Sequence, residues 1–168
     1  MKLRTPLPLY HSWPLFEAAE RLAVPMLRSC AEGAVPSPLA VAGATGRALA
    51  ALGIGLWECN LADDHLTWSQ GVYDLFGLPS DGPIDRAMTV SLYREGSRAA
   101  MEQLRSHAIR FRRGFTVDVE IRQPGGDERM MRLSALPVLE GRKVVRLRGL
   151  KIDVTADYDA GAARTVAA

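Results

Sequence analysis

The sequence predicts an α+β domain built on an antiparallel sheet. Residues 115 to 122 alternate strictly between apolar and polar side chains, which is typical of a strand with one buried face. Residues 97 to 113 carry apolar side chains at helical spacing, and residues 54 to 68 have the pattern of two short strands joined by a turn at 63 to 65. The predicted order is two strands, several short helices and three further strands.

Short helices are predicted on both sides of the first hairpin. Thr45 is expected to cap a helix that ends at Gly53, and Ser69 is expected to cap a second helix that Gly77 closes. Another short helix is predicted near residues 85 to 93. Ser97 is then the expected cap of the longest helix, which runs to about Arg113.

The last three strands are predicted to form a meander. Residues 124 to 127 and 140 to 141 supply the turns, and the alternation between 144 and 154 slips at Gly149, which suggests a bulge there. Arg146 and Arg148 are expected on the outer face, paired across strands with Asp118 and Glu120. Most of the basic set to which they belong is assigned to a solvated face; it comprises Arg142, Lys143, Arg146, Arg148 and Lys151.

The chain divides into three parts by composition. Residues 1–44 hold an amphipathic helix and a Gly/Pro/Ala linker, residues 45–158 form the domain, and residues 159–168 are expected to be a flexible tail. The N-terminal helix has an apolar stripe that must be covered, either by the outer face of the sheet or by a second copy in a homodimer. That stripe consists of Leu15, Phe16, Leu22, Met26 and Leu27.

Composition excludes several classes of function. The 168 residues include 21 Lys+Arg and 19 Asp+Glu, and a net charge of +2 gives no electrostatic basis for binding nucleic acid. No apolar run is long enough for a membrane span, and prolines interrupt any signal peptide, so the chain is expected to be cytoplasmic. The two cysteines fit no metal-ligand spacing and no catalytic motif is present, so no metal site and no enzyme activity are expected.

Five short motifs in a fixed order carry a resemblance to a known family. They are Gly55-Leu56-Trp57-Glu58; Leu66-Thr67-Trp68-Ser69; Leu75-Phe76-Gly77; Phe115 and Glu120-Ile121-Arg122 leading to Gly126; and Gly149 with Ile152-Asp153-Val154-Thr155. From about residue 54 to 156 the chain resembles the PAS family, specifically the PAS domains of bacterial sensor kinases and diguanylate cyclases. It departs from the family pattern at 93 to 96, which keep only Glu95 of a usual His-Pro-Glu-Asp stretch, and at Met130 or Met131, where a tryptophan is usual.

The resemblance implies a role in signal transduction. A PAS fold is expected, with a five-stranded antiparallel sheet, short helices on one face and the extra N-terminal helix. Asp153 and Thr155 match the family signature that ties the last strand to an outgoing signalling helix. The chain is therefore expected to be a sensor or adaptor in two-component signalling that contacts a histidine kinase or a regulator. The alternative is a small-molecule or haem receptor whose occupied cavity is the signal.

Several side chains are candidates for lining a PAS cavity, although they could equally fill the space themselves. They are Trp57, Trp68, Tyr73, Phe76, His107, Phe111 and Phe115. His107 is the candidate haem ligand, since it lies on the long helix. No cofactor is required by the sequence, and no cysteine lies in the stretch that a photoactive flavin domain would need; Cys59 is expected to be a buried structural residue.

Overall fold

The structure is a computed structural model that describes residues 37–41, 43–80 and 82–166. The predicted N-terminal helix, with Leu15, Phe16, Leu22, Met26 and Leu27, lies outside the described residues. The described part begins with a short 3₁₀ turn, Pro38–Val41, and helix α1, Ala44–Ala51. None of the helices in these ranges combines the length and apolar character that crossing a bilayer requires.

The described residues form a five-stranded antiparallel sheet, as the sequence predicts. Its strands are β1 (Ile54–Asn60), β2 (Leu66–Trp68), β3 (Phe115–Arg122), β4 (Glu128–Glu140) and β5 (Lys143–Asp153), in the spatial order β2-β1-β5-β4-β3. Strands β1 and β5, the first and last in sequence, thus lie side by side at the centre of the sheet, and every residue of β1 pairs with β5. This central pair is flanked by the short β2 on one side and the β4–β3 hairpin on the other.

Three helices connect β2 to β3 and cover the inner face of the sheet. They are α2 (Gln70–Phe76), α3 (Arg86–Ser91) and α4 (Glu95–Phe111). The apolar core lies between them and the inward side chains of the strands. One inward row crosses the sheet through Trp68, Trp57, Gly149, Ala135 and Phe115. Large rings at both ends and small residues in the middle leave room beneath the helices.

Two glycine positions explain how tightly the layers approach. A Cβ at Gly55 would collide with the backbone nitrogen of Val72, so glycine lets α2 rest directly on β1. At Gly149 a Cβ would collide with the carbonyl oxygen of Ser134 on β4. The predicted bulge at Gly149 is wrong, because the register shift lies between Val138 and Leu139 and the missing side chain reflects close packing instead.

None of the three residues predicted as helix caps, Thr45, Ser69 and Ser97, makes a capping hydrogen bond. Helix α1 begins at Ala44 after Gly43, so Thr45 is not its cap, and α4 begins at Glu95, so Ser97 lies inside it. Ser69 does precede α2, yet its hydroxyl makes no capping bond and accepts the Leu56 N–H at 2.8 Å. The Ser97 hydroxyl likewise accepts the Glu120 N–H at 2.8 Å. Both hydroxyls tie a helix to a strand.

The chain continues as a helix where a flexible tail is expected. Helix α5 spans Thr155–Val166, so residues 159 to 166 are helical. The segment is rich in alanine, the residue with the highest helix propensity, and its first turn is fixed to the sheet. The Tyr158 hydroxyl donates to Asp118 on the outer face of β3 at 2.8 Å. Helix α5 therefore lies across the face opposite α2, α3 and α4.

The outer-face ion pairs follow the strand order. Arg148 pairs with Glu58 at 2.8 Å, and Arg146 with Glu140 at 3.3 Å. Asp118 is instead held by Arg132 through two bonds of 2.8 Å. The predicted pairing of Arg146 and Arg148 with Asp118 and Glu120 is wrong, because β4 separates β5 from β3.

Candidate cavity and the end of strand β5

A cavity of about 50 Å³ lies between the inner face of the sheet and helices α3 and α4. Its apolar walls come from every layer around it, including Trp57, Trp68 and Phe115 from the inward row. Its polar lining comes mainly from a lysine, a tyrosine and two arginines: Lys151, Tyr93, Arg86 and Arg105. A polar lining inside the core marks this cavity as the candidate site, since buried polar groups need partners.

Lys151 is the unusual group in this cavity. It lies on β5 between Gly55 and Leu133, and only 6% of its surface is exposed. Its ammonium nitrogen is 4.5 Å from the ring centre of Phe76, 5.1 Å from Trp68, 5.6 Å from Trp57 and 5.8 Å from Tyr93. The ammonium also donates to the Tyr93 hydroxyl at 3.3 Å. Four ring faces and one hydroxyl thus surround a buried cation.

Burial controls the protonation of this cluster. Loss of hydration lowers the pKa of Lys151 to about 7, and the nearby Cys59 thiol opposes this only in part. Burial raises the pKa of the Tyr93 phenol and of the Cys59 thiol. Near neutral pH, Tyr93 and Cys59 are therefore uncharged while Lys151 exchanges between its charged and neutral forms.

Hydrogen-bond donors outnumber acceptors around Lys151. The indole N–H of Trp68 is buried and has no acceptor among the described residues. Tyr93 accepts from Lys151, which leaves the hydroxyl proton of Tyr93 to be donated. Within the described ranges no carboxylate forms an ion pair with Lys151, whereas Trp57 does reach an acceptor, the Ser134 carbonyl, at 3.2 Å.

Two arginines at the partly exposed side of the cavity are already paired. Arg105 binds Asp64 at 2.7 Å, and Arg86 binds Glu102 and lies 4.0 Å from Asp64. Two cations and two carboxylates balance there. The charge of Lys151 is therefore the one that this polar cluster leaves uncompensated.

Strand β5 connects the cavity to helix α5 within four residues. Asp153 accepts the Thr155 N–H at 2.9 Å through one carboxylate oxygen and binds Arg129 at 3.3 Å through the other. The Thr155 hydroxyl accepts the Met130 N–H at 3.0 Å. These bonds fix the first turn of α5 to the end of β5 and to β4.

Known structures share this architecture. A sensory box histidine kinase/response regulator from Burkholderia thailandensis E264 matches with a TM-score of 0.61 at 19% identity, over 72% of this chain and 92% of that one. The N-terminal domain of a diguanylate cyclase with PAS/PAC sensor from Marinobacter aquaeolei matches with a TM-score of 0.58 at 12% identity, over 62% and 98%. This chain has the PAS fold.

A third match agrees with these two. The PAS domain of a protein from Colwellia psychrerythraea superposes with a TM-score of 0.54 at 15% identity, over 66% of this chain and 93% of that one. No protein-family model and no curated protein sequence matches the chain. The fold is thus confirmed by three-dimensional similarity, as the sequence motifs predict.

The PAS cavity contains some of the predicted residues and not others. Trp57, Trp68 and Phe115 line it. Phe76 is fully buried and stacks on Trp68 at 5.0 Å, and Tyr73 is partly buried with its ring edge-on to Trp68 at 5.3 Å. These last two build the aromatic wall behind the lining.

His107 and Phe111 do not reach the cavity, which corrects the prediction for both. They lie on the exposed side of α4 with ring centres 4.5 Å apart, because Ala108 takes the inward position on that turn. Haem ligation inside the cavity by His107 is therefore inconsistent with the fold. Among the described residues, no group of three or more His, Cys, Asp or Glu side chains is placed to hold a metal ion.

Sequence reasoning missed Lys151, because it grouped this residue with a basic set that it assigned mostly to a solvated face. The signal that could have found it is the alternation of β5 itself. Leu147, Gly149 and Lys151 share one face, while Arg146 and Arg148 share the other.

Proposed function

We propose that this PAS domain is a sensor in a signalling pathway and passes its signal by contact with a partner such as a histidine kinase or a regulator. The solved structures similar to it include parts of a histidine kinase/response regulator and of a diguanylate cyclase. The observation that carries the proposal is the course of β5, which bears Lys151 in the cavity and Asp153 at the junction with α5.

The junction supports transmission by a short mechanical path. Lys151 and Asp153 are two residues apart on one strand, so a shift of β5 at the cavity moves Asp153 with it. Asp153 and Thr155 in turn position the first turn of α5 against Met130. A change in the cavity therefore alters how α5 sits on the outer face, and that face is the proposed contact surface.

The N-terminal apolar stripe is the second part of this contact surface in the proposal. A helix carrying Leu15, Phe16, Leu22, Met26 and Leu27 would bury them against the outer face or against a second copy. The expected assembly is a homodimer. Light scattering after size-exclusion chromatography tests this, with Leu22→Glu expected to give a monomer and a monomeric wild-type chain contradicting the dimer.

A kinase assay tests the partner proposal. The full chain is mixed with histidine kinases of its own organism, and complex formation and autophosphorylation are measured. A complex is expected, with autophosphorylation changed severalfold, and Thr155→Val is expected to lose that change. Thr45→Val, on the exposed side of helix α1 and away from the outer face, is the matched control and should behave as wild type. No complex and no change with any kinase would contradict the proposal.

The second candidate function is a receptor for a small molecule, in which occupancy of the cavity is the signal. The unmatched donors around Lys151 favour it. At about 50 Å³ the cavity is well below the roughly 300 to 1,000 Å³ of pockets for drug-sized ligands, so a small metabolite fits this role better than haem. Native mass spectrometry and visible absorption of the purified chain distinguish a receptor that holds a small molecule from a domain that signals by contact alone.

A further inference from the structure

The chemistry of the cavity specifies the kind of ligand it can take. Three buried lining residues have a proton to donate: Lys151 through its ammonium, Tyr93 through its hydroxyl, and Trp68 through an indole N–H that has no acceptor among the described residues. The hydroxyl of Thr89, also in the lining, already donates to the Arg86 carbonyl oxygen at 3.0 Å. A buried donor without an acceptor destabilises the fold, because its lost hydration is not replaced. A ligand that relieves this cost must bring acceptor oxygens rather than donors.

The unpaired charge of Lys151 indicates that the ligand is an anion. The paired groups at the partly exposed side, Arg86 and Arg105 with Asp64 and Glu102, balance one another. The Lys151 ammonium is surrounded by aromatic rings, the Tyr93 hydroxyl and the Cys59 thiol, and it forms no ion pair with a carboxylate of the described residues. Hydrogen bonds between a buried cation and an anionic oxygen are about twice as strong as neutral ones.

The volume of the cavity and the apolar residues of its wall limit the size and polarity of the ligand further. A cavity of about 50 Å³ holds roughly four water-sized groups, which corresponds to acetate or propionate rather than to a phosphorylated metabolite. The lining beyond the donors is apolar and includes Phe115, Leu133 and Leu147. A short alkyl tail packs there, whereas a second charged group would lack a partner.

We propose that the cavity binds a short-chain monocarboxylate, with the carboxylate on the Lys151 ammonium, the Tyr93 hydroxyl and the Trp68 indole N–H. The alkyl tail lies against Phe115 and the two leucines. This inference rests on the receptor function described above and names its ligand class. It requires nothing of a partner protein.

Titration calorimetry on the full chain tests the proposal, after dialysis into carboxylate-free buffer at pH 6.5. Sodium acetate, propionate and butyrate are compared with propionamide, the neutral analogue of propionate. At least one carboxylate is expected to bind with a dissociation constant below about 1 mM. Propionamide is expected to bind at least about tenfold more weakly, because it lacks the charge.

Variants of the donors locate the binding site. Lys151→Met keeps the length and apolar stem of the side chain and is expected to weaken carboxylate binding by at least about 30-fold. Trp68→Phe keeps a ring and is expected to weaken it by roughly 3- to 10-fold. Lys143→Met, on the exposed start of the same strand, is the matched control and should bind as wild type.

Nitrogen NMR of the wild-type indole groups keeps the test decisive if a variant fails to fold. Propionate is expected to shift one buried indole N–H signal, and Trp68→Phe assigns it. The proposal is overturned if no carboxylate binds below about 10 mM, if propionamide binds as tightly as propionate, or if folded Lys151→Met retains wild-type affinity. Carboxylate binding without any effect on a kinase would contradict only the partner proposal, so the two failures are distinguishable.

Discussion

Gly149 stands at the middle of the sheet, where β5 passes close to β4. Added to this residue, a Cβ would collide with the Ser134 carbonyl oxygen, which is backbone and cannot move away alone. The Trp57 indole donates to that same oxygen. A side chain at residue 149 would therefore disturb both the pairing of the central strands and one wall of the cavity.

The substitution Gly149→Ala is expected to destabilise the fold by more than about 2 kcal/mol, because overpacking here meets backbone. Urea unfolding followed by far-UV circular dichroism measures the change. Gly125→Ala, in a turn where an added Cβ meets nothing within 4 Å, is the matched control and should stay within about 0.5 kcal/mol of wild type. Equal stabilities for the two variants would show that β5 and β4 are not in close contact.

Burial of Lys151 makes the stability of the protein depend on pH in an unusual direction. The unfolded chain holds the lysine proton up to pH 10.5, whereas the fold holds it only up to about 7. Between these values the unfolded state binds more protons, so the stability of the fold rises with pH. The cost of burying the lysine is thus full below pH 7 and disappears as the pH approaches 10.5.

Lys151→Met removes this cost, so its stability advantage over wild type should be larger at pH 6 than at pH 9. The expected difference between the two pH values is about 2 to 3 kcal/mol, from urea unfolding in carboxylate-free buffers. Tyr93 and Cys59 have raised pKa values, and both occur in wild type and variant together with Arg86, Arg105, Asp64 and Glu102, so the difference between the two proteins reports on Lys151. An advantage that does not vary with pH would contradict the burial of Lys151.

At the scale of the helices and strands, local patterns predicted the elements and tertiary contacts decided what their polar residues do. Alternation predicted β3 and helical spacing predicted α4. Ser69 and Ser97 have the sequence context of helix caps, yet both hydroxyls accept from strand N–H groups, of Leu56 and Glu120. The sequence shows which residues can accept a hydrogen bond, but it does not show which N–H group, distant in sequence, the fold places next to them.

The junction of β5 with α5 is the element whose role can be tested most simply. Thr155→Val removes the acceptor of the Met130 N–H and is expected to cost about 1 to 2 kcal/mol. Hydrogen exchange should become faster at Met130 and in the first turn of α5, while Leu56 on β1 stays protected as the internal control. Unchanged exchange at Met130 would show that Thr155 does not fix α5 to the sheet.

At the scale of the whole molecule, the order of the strands determines which side chains meet. The five predicted strands are present, but their spatial order places β5 beside β1, so Arg148 meets Glu58 and not Asp118. The same order puts Lys151 at the centre of the inner face beneath four aromatic rings from β1, β2, α2 and the segment before α4. No local pattern contains this convergence, since it depends on strand pairings more than 80 residues apart in sequence, such as Gly55 with Lys151.

The chain has only three lysines, Lys2, Lys143 and Lys151, so the burial of Lys151 can be measured directly. Side-chain NMR of lysine-labelled protein, followed from pH 5 to 11 in carboxylate-free buffer, reports the titration of each one. If β5 holds Lys151 inside the PAS cavity, one signal titrates near pH 7, and it is the signal missing from Lys151→Met. Three signals that all titrate near pH 10.5 would contradict the burial of Lys151 in the cavity, because they would place it in water.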